Sequence, residues 1–310
     1  MITVFSGGVG GARFLQGLLQ VVDPAEVTVI ANTGDDAEFF GVYVSPDIDI
    51  VLYHLAGLSD EERGWGLRGD SFGTIDALSR YGYEKWFRLG DGDFATCLHR
   101  ANLLRSGLTL SQATADIAGA LGVGCAVLPM SDQPVRTKLE TPDGVLDFQE
   151  YFVKHRTEVP IRGIQFAGSE SAAPAPGVID AIIWAQAIII APSNPLVSVG
   201  PILMVPGVRE ALRETVAPIA AVSPIVGGAT IKGPADRMLR ELGHQASPAG
   251  VAALYRDFLD VLVMDQVDAA LASEVDALGV RAVVTDTIMS SPEKKADLAR
   301  TVLGALNERR

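Results

Sequence analysis

Short β-branched and apolar runs alternate with amphipathic helical stretches along most of the chain. The runs that resemble strands are residues 2–6, 27–31, 187–191, 219–222, 261–264 and 282–285, and the helical patterns are residues 12–22, 235–242, 267–278 and 292–306. Continuous apolar runs are typical of parallel strands buried on both faces, and strands that alternate with helices form βαβ units. The pattern therefore predicts an α/β fold with a Rossmann-like, doubly wound and mostly parallel sheet.

The middle of the chain departs from this alternation. Residues 46–122 have a mostly helical pattern, and three glycines lie where helix C-caps are expected: Gly57, Gly107 and Gly122. Two strand-like runs within residues 135–153 flank a Pro-Asp-Gly turn sequence at residues 142–144. We therefore expect one domain over residues 1–310, with a helical subdomain inserted at about 46–122 and a β-hairpin after it.

Charge and composition exclude several classes of protein. The chain has 25 basic and 38 acidic side chains, a formal charge of −13, whereas nucleic-acid binding depends on clustered Lys and Arg. Residues 181–208 contain no charged side chain, but four prolines interrupt them, and a spanning helix needs about 20 apolar residues in one helical run. We therefore expect a buried strand followed by a loop there, with neither a nucleic acid nor a membrane as partner.

Cysteine usage and the first residues predict where the protein works. Cys97 and Cys125 are too few for a disulfide framework and lack the spacing of a zinc site. Residues 1–6 enter a strand-like run directly, without the pattern of a signal peptide. We therefore expect a cytoplasmic protein.

Small and polar residues follow the predicted strands, where the carboxyl ends of a parallel sheet bind ligands. The glycine-rich segment after the first strand contains Gly7, Gly8, Val9, Gly10, Gly11 and Arg13, and later strands are followed by Ser193 and Asn194 and by Gly227 and Gly228. Residues without a Cβ allow backbone amides to approach a phosphate at the start of a helix. The segment lacks a P-loop lysine, and Arg13 occupies the third glycine position of the dinucleotide fingerprint. These residues predict a nucleotide or phosphate site, and the alternative is a tight turn without a ligand.

Four aspartates are candidates for binding Mg²⁺, which proteins usually hold with one or two carboxylates and substrate phosphates. They are Asp35, Asp36, Asp47 and Asp49, and all except Asp47 are also candidates for catalysis. Ser45 and Pro46 match the N-cap and the first position of a predicted helix, so Asp47 in its first turn would alternatively complement the helix dipole. Asp49 lies among apolar residues, where a charge is harder to explain without a function.

Three basic residues are candidates for binding a substrate. Arg88 follows two aromatic residues and would contact a planar or anionic ligand, or alternatively form a packed stem with a solvated guanidinium. Arg13 and Lys232 would contact phosphate oxygens, or would simply be exposed. Together, the glycine-rich segment, the aspartates and the basic residues suit phosphoryl transfer, because this reaction relies on positioning and on stabilisation of developing charge by amides, cations and Mg²⁺.

Ten stretches of this sequence, in order, resemble the CofD/FbiA family, the 2-phospho-L-lactate transferases of coenzyme F420 biosynthesis. They are SGGVGGARFLQGL, ANTGDD, SPDIDIVLY, WFRLGDGDFAT, LPMSDQPV, DFQEYFV, APSNPLVSVGPIL, AVSPIVGGATIKGPA, YRDFLDVLVMD and VTDTIMSS. The resemblance implies a homodimer with a Rossmann-like core and a helical subdomain, and a Mg²⁺-dependent transfer of a substituted phosphate group. In that reaction the ribityl hydroxyl of the deazaflavin Fo attacks the phosphorus of a three-carbon acid activated with guanosine diphosphate (GDP), and GMP is released.

The resemblance also implies roles for individual residues. Asp49 and Arg88 match positions that contact the deazaflavin, while the glycine-rich segment, the Ser193 and Asn194 segment and the SPIVGG loop match regions around the GDP. The family commonly has LGDRDxATH, whereas this chain has Gly92 in place of the Arg and Cys97 in place of the His. Related enzymes use 2-phospho-L-lactate, phosphoenolpyruvate or 3-phosphoglycerate, so the donor acid stays open.

A binding protein is the alternative function. The same superfamily includes regulators that bind uridine-nucleotide sugars and share the glycine loop and the fold. Such regulators should lack the combination of SPDID, WFRLGD and DFQEYFV, which this chain has. We therefore favour the transferase.

Overall fold

A computed structural model describes residues 1–308. In these residues the strands are β1 (Ile2–Ser6), β2 (Val27–Ala31), β3 (Ala37–Phe39), β4 (Val42–Val44), β5 (Ala126–Pro129), β6 (Arg136–Thr141), β7 (Gly144–Asp147), β8 (Gly163–Ala167), β9 (Ala187–Ile190), β10 (Ile219–Val222), β11 (Ile225–Val226), β12 (Ala229–Thr230), β13 (Val261–Asp265) and β14 (Arg281–Thr285). The α-helices are α1 (Gly8–Leu18), α2 (Pro46–Leu55), α3 (Gly73–Leu78), α4 (Asp91–Arg105), α5 (Leu110–Ala120), α6 (Val178–Ile183), α7 (Gly200–Leu203), α8 (Val208–Glu214), α9 (Ala235–Glu241), α10 (Pro248–Tyr255), α11 (Ala272–Ala277) and α12 (Pro292–Asn307). Short 3₁₀ turns lie at Pro24–Glu26, Ser79–Tyr81, Ser169–Ser171 and Gln266–Leu271, and a π-helical turn lies at Glu150–Lys154.

Seven parallel strands form the central sheet in the order β14-β13-β10-β9-β1-β2-β5. The chain adds strands on one side of β1 first, with β2 and β5, and then on the other side from β9 onwards. The order therefore reverses between β1 and β9, which is the crevice where doubly wound sheets bind ligands. The predicted Rossmann-like, doubly wound fold is confirmed.

Helices cover both faces of this sheet because successive residues of a strand point to opposite sides. Val4 of β1 packs in a cluster with Leu15 of α1 and Leu298 of α12. Its neighbour Phe5 packs in the opposite cluster with residues of α6, α8 and α10. Each large apolar side chain buried in this way contributes about 1.5–3 kcal/mol, so the two clusters hold the strand ends in fixed positions.

The region predicted to be a helical insertion contains α2, α3, α4 and α5. Gly57, Gly107 and Gly122 follow three of these helices with φ of +71°, +94° and +70°, so the predicted C-cap glycines are confirmed. Residues 56–72 differ from the helical expectation, since they form an irregular loop that includes a bridge between Ser59 and Leu67. The assignment of one domain with an insertion at 46–122 stays a prediction, and residues 309–310 of it lie outside the described residues.

The predicted hairpin is β6 and β7, in which Thr141 pairs with Gly144 around the Pro-Asp turn. The sequence pattern did not predict the third strand of this sheet, β8, or the small hairpins β3–β4 and β11–β12. The amide of Thr137 in β6 donates to the carbonyl oxygen of Gly34 (2.8 Å), so the hairpin packs on the loop after β2. Within residues 1–308, no helix combines the length and the apolar composition needed to cross a membrane.

Candidate active site

The loops that follow β1, β2 and β9 meet at the carboxyl edge of the sheet, where the strand order reverses. The Gly7 amide after β1 donates to Oγ of Ser193 after β9 (3.2 Å). Nδ2 of Asn32 after β2 donates to the carbonyl oxygen of Val197 in that same β9 loop (3.2 Å). The fold thus brings together three of the segments that the sequence pattern predicted to share one rim.

The glycine-rich segment is the first turn of α1 rather than a loop before the helix. The sequence pattern predicted a helix from residue 12, because glycine is a poor helix former, but α1 begins at Gly8. A Cβ at Gly10 would lie 2.2 Å from the carbonyl oxygen of Pro192, and a Cβ at Gly11 would lie 2.3 Å from Oγ of Ser6. Close packing against the neighbouring loops therefore requires glycine here, whether or not a ligand binds.

The amino end of α1 combines backbone amides with a carboxylate. The Gly8 amide donates to Oδ1 of Asp47 (2.8 Å). From the sequence, the alternative role of Asp47 was to complement the dipole of its own helix, α2. In the structure its carboxylate also complements the dipole of α1, because it binds an amide in the first turn of that helix. The amides of Val9 and Gly10 follow in a first turn that no N-cap side chain satisfies, and such amides bind anions readily.

Asp35 and Asp47 form a buried acidic pair beside these amides. Nδ2 of Asn32 donates to Oδ2 of Asp47 (2.8 Å) and is 3.4 Å from Oδ1 of Asp35, so both carboxylates share one amide group. Burial raises the pKa of Asp47 to about 6, and burial together with the charge of Asp47 raises the pKa of Asp35 well above its usual range. Neither carboxylate has an ion-pair partner in the part of the chain that the structure describes. The pair therefore lacks a counter-charge.

Asp36 has a different set of partners from that pair. The Ser45 hydroxyl donates to Oδ2 of Asp36 (2.7 Å), whereas the sequence pattern predicted that Ser45 would cap α2 with its side chain. Burial raises the pKa of Asp36 to about 7, and the charge of Arg136 opposes this rise. Arg136 also donates to the hydroxyl of Tyr43 (3.0 Å). Asp36 thus has a cationic neighbour that Asp35 and Asp47 lack.

Asp49 forms a buried ion pair with Arg100 of α4. The Arg100 side chain is 0% exposed and donates from Nη1 to Oδ2 of Asp49 (3.1 Å) and from Nη2 to Oδ1. Asp93 is buried in the first turn of α4 and accepts from the Tyr53 hydroxyl (2.8 Å). Burial, with the charge of Asp49, raises the pKa of Asp93 to about 7.

Cys97 belongs to the same cluster, and its Sγ lies 3.9 Å from Oδ2 of Asp49. The potential ligand atoms of Asp49, Asp93 and Cys97 lie within 4.8 Å of one another. A bound cation is nevertheless disfavoured there, because the Arg100 guanidinium already neutralises Asp49. Burial also raises the pKa of the Cys97 thiol well above its usual range, so the thiol stays protonated.

Arg88 is exposed, and its guanidinium carbon lies 4.3 Å from the centre of the Phe72 ring. Next to it, Phe87 stacks on Phe39 with ring centres 3.8 Å apart and an interplanar angle of 6°, and Trp86 packs edge-on against Phe39. Among residues 1–308, Arg88 makes no direct contact with Asp49. Its guanidinium is therefore free to meet a ligand. Arg13 is half-buried, and its buried Nε lacks a hydrogen-bond partner in the described chain.

The remaining predicted residues mainly shape the loops. Oδ1 of Asn194 accepts from the amide of Leu196 (2.9 Å), which folds the loop after β9. The Gly227 amide donates to Oδ2 of the buried Asp268 (2.9 Å), and the Gly228 carbonyl accepts from Arg240. Lys232 is exposed, and its Nζ lies beside Gly64 in the loop before α3.

Sequence reasoning did not select Asn32, Arg100 or Arg136. Asn32 lies three residues before Asp35 in the same ANTGDD motif, so this motif contained a signal. Arg100 lies seven residues after Asp93 and three after Cys97, a spacing that places all three on one helix face. Arg136 had no comparable local signal, because only the packing of β6 against the β2 loop brings it near Asp36.

Comparisons with known proteins match the whole chain. The model of a family described as "2-phospho-L-lactate transferase CofD" matches residues 2–302. A 2-phospho-L-lactate transferase from Methanosarcina mazei is 40% identical over 302 residues, which cover 97% of this chain and 99% of the relative. A phosphoenolpyruvate transferase from Streptomyces griseus is 44% identical, over 99% of this chain and 98% of the relative. A solved structure of a Bacillus halodurans protein of the UPF0052 family is similar in fold, with a TM-score of 0.68 and 17% identity over 97% of this chain and 98% of that one.

Proposed function

The chain belongs to the CofD family of transferases, and we propose that it completes a step of coenzyme F420 biosynthesis. In this proposal the enzyme transfers a phosphorylated three-carbon acid from a GDP-linked donor to the ribityl hydroxyl of the deazaflavin Fo. The hydroxyl oxygen forms a bond to the phosphorus of the acid, the bond from that phosphorus to the GMP oxygen breaks, and the hydroxyl proton is released. The products are a phosphodiester and GMP.

The observation that supports this proposal most directly lies at the amino end of α1, where amides that no N-cap side chain satisfies lie next to two carboxylates without an ion-pair partner in the described residues. The amides of Val9 and Gly10 suit a diphosphate, whereas the neighbouring carboxylates of Asp35 and Asp47 would repel one. The arrangement suits an anion that arrives together with a cation. A nucleotide diphosphate with a divalent metal meets this requirement.

Asp35 and Asp47 fit Mg²⁺ better than the other two candidate aspartates. Both are buried, both have a raised pKa that reflects unfavourable ionisation, and they lie close enough to share the Asn32 amide. Asp36 and Asp49 instead have Arg136 and Arg100 beside them. Mg²⁺ held by Asp35 and Asp47 would neutralise negative charge on the phosphates.

The chain's own residues divide between the two substrates in this proposal. The head of α1, with Arg13, binds the diphosphate, and the loops after β9 and β10, including Lys232, surround the nucleotide. Asp49 orients the attacking hydroxyl of Fo, and Arg88 binds the deazaflavin, next to its aromatic neighbours. We also propose that the protein works in the cytoplasm and, from the family resemblance, that it forms a homodimer.

Product mass tests the proposal. Purified protein is incubated with Mg²⁺, Fo and the GDP-linked form of 2-phospho-L-lactate, phosphoenolpyruvate or 3-phosphoglycerate in turn, and the products are weighed. We expect GMP release and an Fo derivative heavier by the phospho-acid from at least one donor, which also identifies the donor acid. Thermal-shift titrations with a uridine-diphosphate sugar and with NADH serve as controls. Absence of any Fo product, with stabilisation by the sugar nucleotide alone, would contradict the proposal.

A further inference from the structure

Arg100 lies between the two helices that flank the proposed acceptor site. It is one of the largest fully buried side chains, and it extends from α4 to Asp49 in α2. Besides the two contacts with Asp49, its Nη1 is 3.3 Å from the backbone carbonyl oxygen of Tyr43. The guanidinium therefore fixes the carboxylate of Asp49 relative to both α4 and the β3–β4 hairpin.

The geometry of this pair restricts Asp49 more than a simple charge contact would. A guanidinium is a planar fork that binds both oxygens of a carboxylate, so it sets the plane of the carboxylate as well as its position. Oδ2 is also contacted by the Cys97 thiol, whereas Oδ1 keeps a second lone pair, which can accept a hydrogen bond from a hydroxyl group. Removal of the fork would leave Asp49 free to rotate in its buried position.

The placement of α4 links this pair to the other proposed acceptor contact. Arg88 lies three residues before α4 begins at Asp91, and Arg100 lies about two and a half turns further along the same helix. The helix therefore connects the residue proposed to bind the deazaflavin with the residue that holds Asp49. The diphosphate contacts at the head of α1 involve neither Arg88 nor Arg100.

We propose that Arg100 is a positioning residue for the acceptor: it holds the Asp49 carboxylate in the orientation that receives the ribityl hydroxyl. This inference rests on the proposed function. It assigns Arg100 no contact with either substrate, so the loss of Arg100 affects acceptor binding and turnover through Asp49 alone. A role limited to joining α2 and α4 would instead affect both substrates or only the stability of the protein.

A double-mutant cycle separates these roles. The variants are Arg100→Gln, Asp49→Asn and the double variant, and Arg105→Gln, an exposed change in the same helix, is the matched control. Fo binding is measured by its fluorescence without donor, and kcat and KM are measured for each substrate. We expect Arg100→Gln to weaken Fo binding and lower kcat by at least about tenfold, while KM for the donor changes less than about twofold. On the Asp49→Asn background the same change should have less than about a twofold effect.

Other results would overturn the positioning role. Equal losses for donor and acceptor, or the same additional loss in the double variant, would show that Arg100 does not act through Asp49. If Arg100→Gln does not fold, Arg100→Lys decides the question, because it keeps the charge and removes the fork. The lysine variant should still lose acceptor affinity selectively, and wild-type behaviour would overturn the inference. A wild-type protein that transfers nothing to Fo refutes the proposed function, whereas an active wild type with an unaffected Arg100→Gln variant refutes only the positioning role.

Discussion

Replacement of Asp47 by Asn should stabilise the metal-free protein at neutral and alkaline pH. Burial raises the pKa of Asp47 from 3.8 to about 6, so the folded state binds this proton more tightly than the unfolded state does. About two pKa units correspond to ~3 kcal/mol of destabilisation once the pH exceeds 6. The Asn side chain keeps an acceptor for one of the two donors, Gly8 and Asn32, and the loss of the other hydrogen bond costs ~1 kcal/mol. We therefore expect a net gain of ~2 kcal/mol at pH 8.

Urea unfolding with and without Mg²⁺ measures this effect. In EDTA at pH 8 the Asp47→Asn variant should be more stable than the wild type. This advantage should shrink as the pH falls through 6 towards 3.8, because the Asp47 carboxyl group then becomes protonated first in the folded and finally in the unfolded protein. Added Mg²⁺ should stabilise the wild type and have little effect on the variant. Asp143→Asn, in the exposed hairpin turn, is the control and should change neither quantity. The electrostatic reasoning is wrong if Asp47→Asn is less stable than the wild type in EDTA at pH 8, or if Mg²⁺ stabilises both proteins equally.

Three further predictions concern the same region. Chelation with EDTA should weaken GDP binding markedly in calorimetric titrations, because Asp35 and Asp47 then repel the diphosphate; unchanged affinity would mean that amides and basic side chains suffice. Asp49→Asn should lower Fo turnover by about 100-fold or more in a folded protein, as judged by steady-state rates and circular dichroism, and turnover within about threefold of wild type would exclude its role. Gly10→Ala should lower the midpoint of thermal unfolding, because its Cβ would lie 2.2 Å from the Pro192 carbonyl oxygen. Gly119→Ala in α5, where nothing lies within 4 Å of the added Cβ, should raise the midpoint by removing a helix-destabilising glycine. Equal shifts for the two variants would refute the packing argument.

Features specified by neighbouring residues could be predicted from the sequence. The apolar runs of β1, β2 and β13 indicate buried parallel strands because each residue is covered on both faces. The Pro-Asp-Gly turn defines the β6–β7 hairpin, and the glycine after α4 ends that helix, since both depend on backbone geometry within a few residues. The family resemblance added the expected roles of Asp49 and Arg88, which remain predictions.

Features that depend on distant contacts could not be predicted. Glycine disfavours a helix locally, but packing against Pro192 selects a helical first turn at Gly8. Ser45 has the position and the chemistry of an N-cap, yet its hydroxyl binds Asp36, which tertiary packing brings within reach. The pairing of Asp49 with Arg100 joins residues 51 positions apart, and only the tertiary packing of α4 creates it.

The position of β1 between β2 and β9 has a consequence for synthesis of the protein on the ribosome. β2 emerges about twenty residues after β1, but β9 begins only at Ala187. Until then one edge of this apolar strand has no native partner, and exposed strand edges pair readily with other chains. A nascent chain that stalls before β9 should therefore aggregate and should also lack the anion site, because Gly7 meets Ser193 and Asn32 meets Val197 only after that strand has been added.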